Sequence, residues 1–253
     1  MIEFHQYFQQ AKQAAFSAQK TLESFKNDAG TLNNSGRDLK TEADLAAERA
    51  IISELKKSEI PILSEEDTAS HLADTQGPHW IIDPLDGTVN FSRDFPVYSI
   101  SIALWNGQHP ILGVIQDIPN KKTYAGLVGG KAESGQDLLH VSNTPDLSKS
   151  ILATGYPTKR DFSPESLAKF SHFTAQFKKV RMLGSAAMSL AYVASGTFDY
   201  YCEEGIWLWD VAAGLALVKA AGGDYHISNI SKDLRATVHA GSPELIKQAK
   251  DLI

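Results

Sequence analysis

An α+β half followed by an α/β half is the architecture this chain predicts, and three patterns predict it. Apolar residues recur near helical spacing over the first 57 residues, with one polar break. Alternating apolar stretches separated by turns then read as an antiparallel meander as far as residue 128. From residue 151 onward, strand and helix patterns alternate. The character changes around Leu138–Ser150, which sets an α+β unit over residues 1–140 and an α/β unit over residues 141–253.

In chain order, residues 2–27 place Phe4, Tyr7, Phe8, Ala11, Ala15, Phe16, Leu22 and Phe25 near helical spacing, which predicts an amphipathic helix. Gly30 to Gly36 is a polar break rich in Asn and Ser, and a second helix runs from Thr41 to Lys57. A strand at Ile60–Leu63 leads into Ser64-Glu65-Glu66-Asp67 and a polar loop to Gly77. Trp80-Ile81-Ile82 reads as a strand. The meander comprises Val97–Trp105, Pro110–Ile115 and Lys122–Val128, turned at Asn106-Gly107 and Pro119-Asn120. In the second half, strands are expected at Ile151–Thr154, Val180–Leu183, Phe198–Glu203 and Ala236–Ala240. Helices are expected at Pro164–Lys178, Ser185–Ser195, Leu208–Ala221 and Pro243–Leu252.

At 253 residues, 43% apolar and 21% charged, the chain can bury a substantial core. A net charge of −6, with basic residues no denser than Lys56-Lys57, Lys121-Lys122 and Lys178-Lys179, argues against a nucleic-acid binder. Cys202 is the single cysteine, which excludes an internal disulfide or a cysteine-rich metal site and fits a reducing compartment. Met1-Ile2-Glu3-Phe4-His5 does not open a secretory signal, and no apolar run reaches the roughly 18 residues of a membrane span. A soluble, cytoplasmic protein is expected.

The chemistry concentrates in Asp83-Pro84-Leu85-Asp86-Gly87-Thr88-Val89-Asn90-Phe91. Pro84 biases Asp83 towards extended backbone, and Gly87 permits a tight turn that swings Asp86 back beside Asp83. With the Leu85 carbonyl, the set is all oxygen and suits Mg²⁺, Mn²⁺ or Ca²⁺ rather than zinc. The same string is also the composition of an ordinary surface turn. Asp210, in Trp209-Asp210-Val211-Ala212-Ala213-Gly214, fits the first turn of a helix on dipole grounds alone. Glu65-Glu66-Asp67 equally fits a solvated acidic loop. Thr41-Glu42-Ala43-Asp44 has the pattern of a capping box. If Glu65, Asp83, Asp86 and Asp210 converge, cations must offset their repulsion. The eight histidines form no H-x-H or H-E-x-x-H pattern, so zinc hydrolase chemistry is not expected. Gly129-Gly130-Lys131 lacks both the glycine spacing and the Ser/Thr of a phosphate loop.

At this point the chain resembles the inositol monophosphatase family of Mg²⁺-dependent, lithium-sensitive phosphomonoesterases. Both family signatures are present, Asp83–Phe91 and Trp209–Gly214 running on to Ala221-Gly222-Gly223. Leu39–Asp44, Leu63–Glu66, Phe95-Pro96, Gly155-Tyr156-Pro157 and Gly184-Ser185-Ala186-Ala187 match in the family's order. The resemblance implies a layered αβαβα sandwich of the sugar-phosphatase type. It implies that Glu65, Asp83 and the Leu85 carbonyl bind a first metal and that Asp83, Asp86 and Asp210 bind a second. Glu65 would also help hold a third, weaker ion; the ion is Mg²⁺, with Mn²⁺ able to substitute.

Asp44 and Thr88 resemble the pair that orients and deprotonates the attacking water. Gly87 and Thr88 offer amides to phosphate oxygens. Asp86, Asp210, Arg181, Gly184, Ser185, Ala186 and Glu203 match positions around the substrate. The implied activity is hydrolysis of a small phosphomonoester by in-line attack of water, with inositol monophosphate first. Histidinol phosphate, fructose 1,6-bisphosphate and 3′-phosphoadenosine 5′-phosphate are the alternatives within that chemistry. A non-catalytic regulatory binding protein on the same fold is the alternative outside it. The expected partner is a small phosphorylated polyol, with no nucleic acid or membrane, and a homodimer is expected.

Three features depart from the family. Ser92-Arg93-Asp94 replaces a segment that often contains histidine or glycine. Lys40 stands where many members carry an apolar residue, and it either charges the rim of the site or sits in solvent. Glu203-Glu204 doubles an acid beside the alcohol pocket, which suits sugar hydroxyls or an amine-bearing substrate.

Overall fold

The computed structural model describes residues 2–25, 31–35, 38–66, 77–156 and 161–252. Asp67, most of the polar loop towards Gly77, Gly30, Gly36 and Pro157 lie outside the described residues.

Helix α1 (Ile2–Glu23) is followed by a hairpin of β1 (Thr31–Ser35) and β2 (Asp38–Thr41), then by α2 (Glu42–Leu55). The polar stretch expected as a break is thus partly an antiparallel pair, with Ser35 opposite Asp38. The sequence hides it because Asn and Ser signal turns, whereas backbone pairing makes a hairpin from any side chains.

A seven-stranded sheet carries the first half. It runs in spatial order β3 (Ile62–Ser64), β4 (His79–Asp86), β5 (Ser99–Trp105), β6 (Pro110–Asp117), β7 (Lys122–Leu127), β8 (Ala132–Ser134) and β9 (Asp137–Leu138). Strand β3 pairs parallel to β4, and every later pair is antiparallel, so the expected meander is present and longer than its apolar pattern. The last two strands escape a periodicity reading because they are three and two residues long. Short α3 (Thr88–Ser92) interrupts the path from β4 to β5.

The central strands of this sheet are covered on both faces. Trp80, Ile82, Ile100, Ile102, Leu104, Leu112 and Val114 pack with Ala11, Ala15, Leu22, Ala47 and Ile51 of the first two helices. Ile81, Ala103 and Ile115 turn the other way. They meet α5 (Ala186–Ala194) and α6 (Leu208–Ala220), whose buried residues belong to the same cluster. Burial on both faces explains why these strands read as apolar runs rather than strict alternations.

The five-stranded second sheet runs β11 (Lys179–Arg181), β10 (Ile151–Ala153), β12 (Tyr200–Trp207), β14 (Arg235–Gly241), β13 (Asp224–Ser228). Its first three strands are mutually parallel, and β14 and β13 are antiparallel to their neighbours. Tyr201, Val238 and Ala240 face α5 and α6. Leu152, Phe173, Tyr200, Cys202 and Leu245 pack on the opposite face with α4 (Pro164–Thr174) and α7 (Pro243–Ala249). The layers are therefore helix, sheet, helix, sheet, helix, as the αβαβα expectation requires. Edge strand β13, with its mixed Asp-Tyr-His-Ile-Ser composition, has no counterpart in the sequence reading.

Candidate active site

A cleft of about 350 Å³ opens where the ends of β4 and β12 meet the starts of α3, α5 and α6. Glu65, Asp83, Asp86, Glu203 and Asp210 line it, and no lysine or arginine does so among the described residues.

The backbone explains why Asp83 and Asp86 share a face. Strict alternation would send residues three apart to opposite sides of a strand. Here Asp83 pairs with Ser101 and Asp86 with Ser99, with a register shift between them. Three steps on β4 match two on β5, and the irregularity returns Asp86 to the side of Asp83. Leu85 turns its side chain into the core, and its amide donates to Asp83 Oδ1 at 2.9 Å. Gly87 then takes φ of +90° to start α3, a conformation favourable to glycine.

Asp86 sits at the N-terminus of α5. The Ser185 hydroxyl donates to Oδ2, the Ala187 amide to Oδ2 at 3.0 Å and the Ala186 amide to Oδ1 at 3.2 Å. Burial pushes its pKa up to about 6, and these hydrogen bonds pull against that rise. Asp83, 1% exposed, is raised well above the usual carboxylate range by burial and then by repulsion from Glu65, Asp86 and Asp210. Asp210 keeps part of its surface open to the cleft. Enclosure, then Glu65, Asp86 and Glu203, raise its pKa well above normal, against a backbone hydrogen bond at Trp207.

Asp44 stands behind this group, 2% exposed. Its Oδ2 accepts the Thr41 amide at 2.7 Å and the Thr41 hydroxyl, which is one arm of the expected capping box. Its Oδ1 accepts the Thr88 hydroxyl at 3.1 Å, and that hydroxyl also lies 3.0 Å from the Leu85 carbonyl. Burial raises the Asp44 pKa, and the Thr41 and Thr88 hydrogen bonds oppose the rise. Capping and a link to the cleft therefore coexist in one side chain.

Gly87, Gly184, Ser185 and Ala186 all line the cleft. Arg181 does not; it is exposed on edge strand β11 and donates to the Val180 carbonyl at 3.0 Å. The Glu203-Glu204 pair separates. Glu203 faces the cleft, and Glu204 lines a neighbouring pocket with Asp161, Glu165 and Lys169. Asn90 went unassigned in the sequence reading, although it lies inside the Asp83–Phe91 motif. Its Nδ2 donates to Val97 O at 2.7 Å and Leu183 O at 2.8 Å, which ties α3 to the turn before α5.

Five acids and Leu85 line the cleft, and burial resists the ionisation of Asp83, Asp86 and Asp210, so the donor set is hard and oxygen-rich. That fits a divalent cation of the Mg²⁺ type. Among the described residues no three acid, imidazole or thiol groups already stand as a closed ligand cage. Asp86 is instead drawn onto the α5 terminus.

The chain belongs to the inositol monophosphatase family, whose sequence model matches residues 3–249. It is 39% identical over 219 residues to the Nus factor SuhB of Xylella fastidiosa, covering 83% of this chain and 78% of that protein. It is 35% identical over 244 residues to an inositol-1-monophosphatase of Mesorhizobium japonicum, covering 92% and 91%. The solved inositol monophosphatase of Anabaena (Nostoc) sp. PCC 7120 superposes with a TM-score of 0.85 at 30% identity, over 99% of this chain and 96% of that one. The family is one of metal-dependent phosphomonoester hydrolases, and its solved members share this layered fold. No helix among the described residues is long and apolar enough to cross a membrane.

Proposed function

We propose that this protein is a cytoplasmic, Mg²⁺-dependent, lithium-sensitive phosphatase that hydrolyses a small phosphorylated polyol, inositol monophosphate first. The observation that carries the reading is the convergence of Glu65, Asp83, Asp86 and Asp210, drawn from three separate stretches of chain, on one cleft lined by no lysine or arginine among the described residues.

Glu65, Asp83 and the Leu85 carbonyl would hold one ion and Asp83, Asp86 and Asp210 a second, with Glu65 contributing to a third. Mn²⁺ would substitute. When bound, such ions acidify water and offset the charge of the phosphate. The chain's own part is to orient and deprotonate. Thr88 Oγ1 accepts a hydrogen bond from the attacking water and directs its own proton to Asp44 Oδ1, so Asp44 is the base at the end of a two-member relay. The amides of Gly87 and Thr88 receive phosphate oxygens at the start of α3. Gly184, Ser185, Ala186 and Glu203 bound the alcohol half. Because Glu204 faces elsewhere, a single carboxylate meets that half, which favours a hydroxylated ring over a strongly cationic alcohol. Arg181 can take part only if its side chain leaves Val180 O and swings inward. The 1–140 and 141–253 units would supply opposite walls of the cleft, and the working form is proposed as a homodimer.

The test is phosphate release from inositol monophosphate, histidinol phosphate, fructose 1,6-bisphosphate and 3′-phosphoadenosine 5′-phosphate with Mg²⁺, with and without lithium. Asp83→Asn lowers turnover by several orders of magnitude, because a shared charge is lost. Wild-type turnover in that variant overturns the assignment. A second reading, a regulatory binding protein on this fold, is favoured by the name Nus factor carried by the Xylella relative. Wild-type protein inactive on every substrate in the panel would support it.

A further inference from the structure

Lys40 is neither a free rim charge nor a solvated one. Its ammonium forms an ion pair with Glu66, whose side chain is 6% exposed against 36% for the lysine. Lys40 directly precedes Thr41, whose amide and hydroxyl hold Asp44. Glu66 directly follows Glu65, a wall of the cleft. The ion pair therefore joins the start of α2 to the loop that leaves β3. Asp44 and Glu48, both near the start of α2, also attract the Lys40 ammonium. Glu48 is 8% exposed, and its Oε1 has no hydrogen-bond partner among the described residues. Glu66 in turn repels Asp44 and Glu48. Three acids from two segments thus surround one cation, and without it their repulsion would drive the segments apart.

We propose that Lys40 is a positioning residue of the site. Its ammonium clamps the Glu65–Glu66 loop against the first turns of α2 and so holds Glu65 in the cleft wall and Asp44 behind it. The inference rests on the metal-dependent reading above. Lys40 touches neither phosphate nor ion in this role; it acts through Glu66 on Glu65 and through Thr41 and charge on Asp44. Removing a partner that orients metal ligands typically weakens metal affinity about 10–100-fold.

The test is Mn²⁺ binding, read as loss of the free-ion EPR signal, for wild type, Lys40→Met, Lys40→Arg, Glu66→Gln and the Lys40→Met/Glu66→Gln pair. Melting temperature is measured for each, and phosphate release is followed against Mg²⁺ concentration. Lys40→Met is expected to weaken Mn²⁺ binding about 10–100-fold and to raise the half-saturating Mg²⁺. Lys40→Arg should restore binding, and the double variant should be no weaker than Lys40→Met. Unchanged binding in Lys40→Met, or an arginine variant as weak as the methionine one, overturns the inference. If Lys40→Met does not fold, Glu66→Gln breaks the same pair, and undiminished Mn²⁺ binding there overturns it equally. Wild-type protein that binds no Mn²⁺ removes the metal reading and this inference together. Normal wild-type binding that Lys40→Met leaves intact removes only the inference.

Discussion

Gly113 on β6 lies directly against the backbone of helix α6, and Gly113→Ala tests whether that close approach places Asp210. A methyl group at Gly113 would lie 2.2 Å from the Ala213 carbonyl oxygen and 2.8 Å from the Ala213 Cα. These are backbone atoms and cannot rotate aside. Ordinary contact begins near 3.4 Å, so strand and helix must separate by about 1.2 Å. Ala213 lies one turn beyond Asp210, and the helix moves as a unit, so Asp210 retreats from Asp83 by a similar amount. Overpacking of this kind costs about 1–3 kcal/mol, which in a chain this long lowers Tm by roughly 3–10 °C. Misplacing a reacting group by about 1 Å costs on the order of 100-fold in rate. Differential scanning calorimetry and Mg²⁺-dependent phosphate release measure the two effects. Gly77→Ala, whose methyl would meet no atom within 4 Å among the described residues, is the silent control. Wild-type Tm and turnover in Gly113→Ala would refute the claim that close packing of α6 on β6 sets the position of Asp210.

The remaining predictions concern the relay and the second core. Thr88→Val removes the hydroxyl between Asp44 and the Leu85 carbonyl and should lower kcat about 10²–10⁴-fold. Asp44→Asn should do likewise, and the two together should lose little more than either alone, because they act as one unit; additive losses would separate them. His239, 1% exposed and bonded through Nδ1 to the Tyr200 hydroxyl at 3.0 Å, has its pKa lowered by burial to about 4. In the unfolded chain it titrates near 6.5, so the stability it contributes is fully present above that pH and is lost as pH falls towards about 4, by up to about 3 kcal/mol. Urea unfolding of wild type minus His239→Gln should therefore give a stability difference that shrinks between pH 7 and pH 4. A constant difference would place the imidazole in a solvated setting.

The legible parts of the fold were those with strong patterning. Ile100, Ile102 and Leu104 against Ile81 and Ala103 read as strands because a doubly covered sheet demands apolar residues on both faces. The apolar start of α6 read as a helix for the same reason. Strands β8, β9 and β13 were silent because their order comes from backbone pairing to a neighbour already in place, which leaves little trace in composition. In the site, the acids were visible as residue types at motif positions. Their company was not. That Glu203 faces the cleft and Glu204 a different pocket, that Arg181 lies outside, and that Lys40 is bound to Glu66 depend on which side each backbone presents.

What the sequence alone determined was the order of elements, the family motifs and the stock of carboxylates, since these follow from local preference and from residue identity. Tertiary structure alone decided that Asp83 and Asp86 share a face through a register shift, that the α5 terminus draws in Asp86, and that Asp44 reaches the cleft through Thr88. The physical reason is the same in each case. A carboxylate's charge state and reach depend on burial and on partners tens of residues away, and only the packed chain brings those partners within a few ångströms.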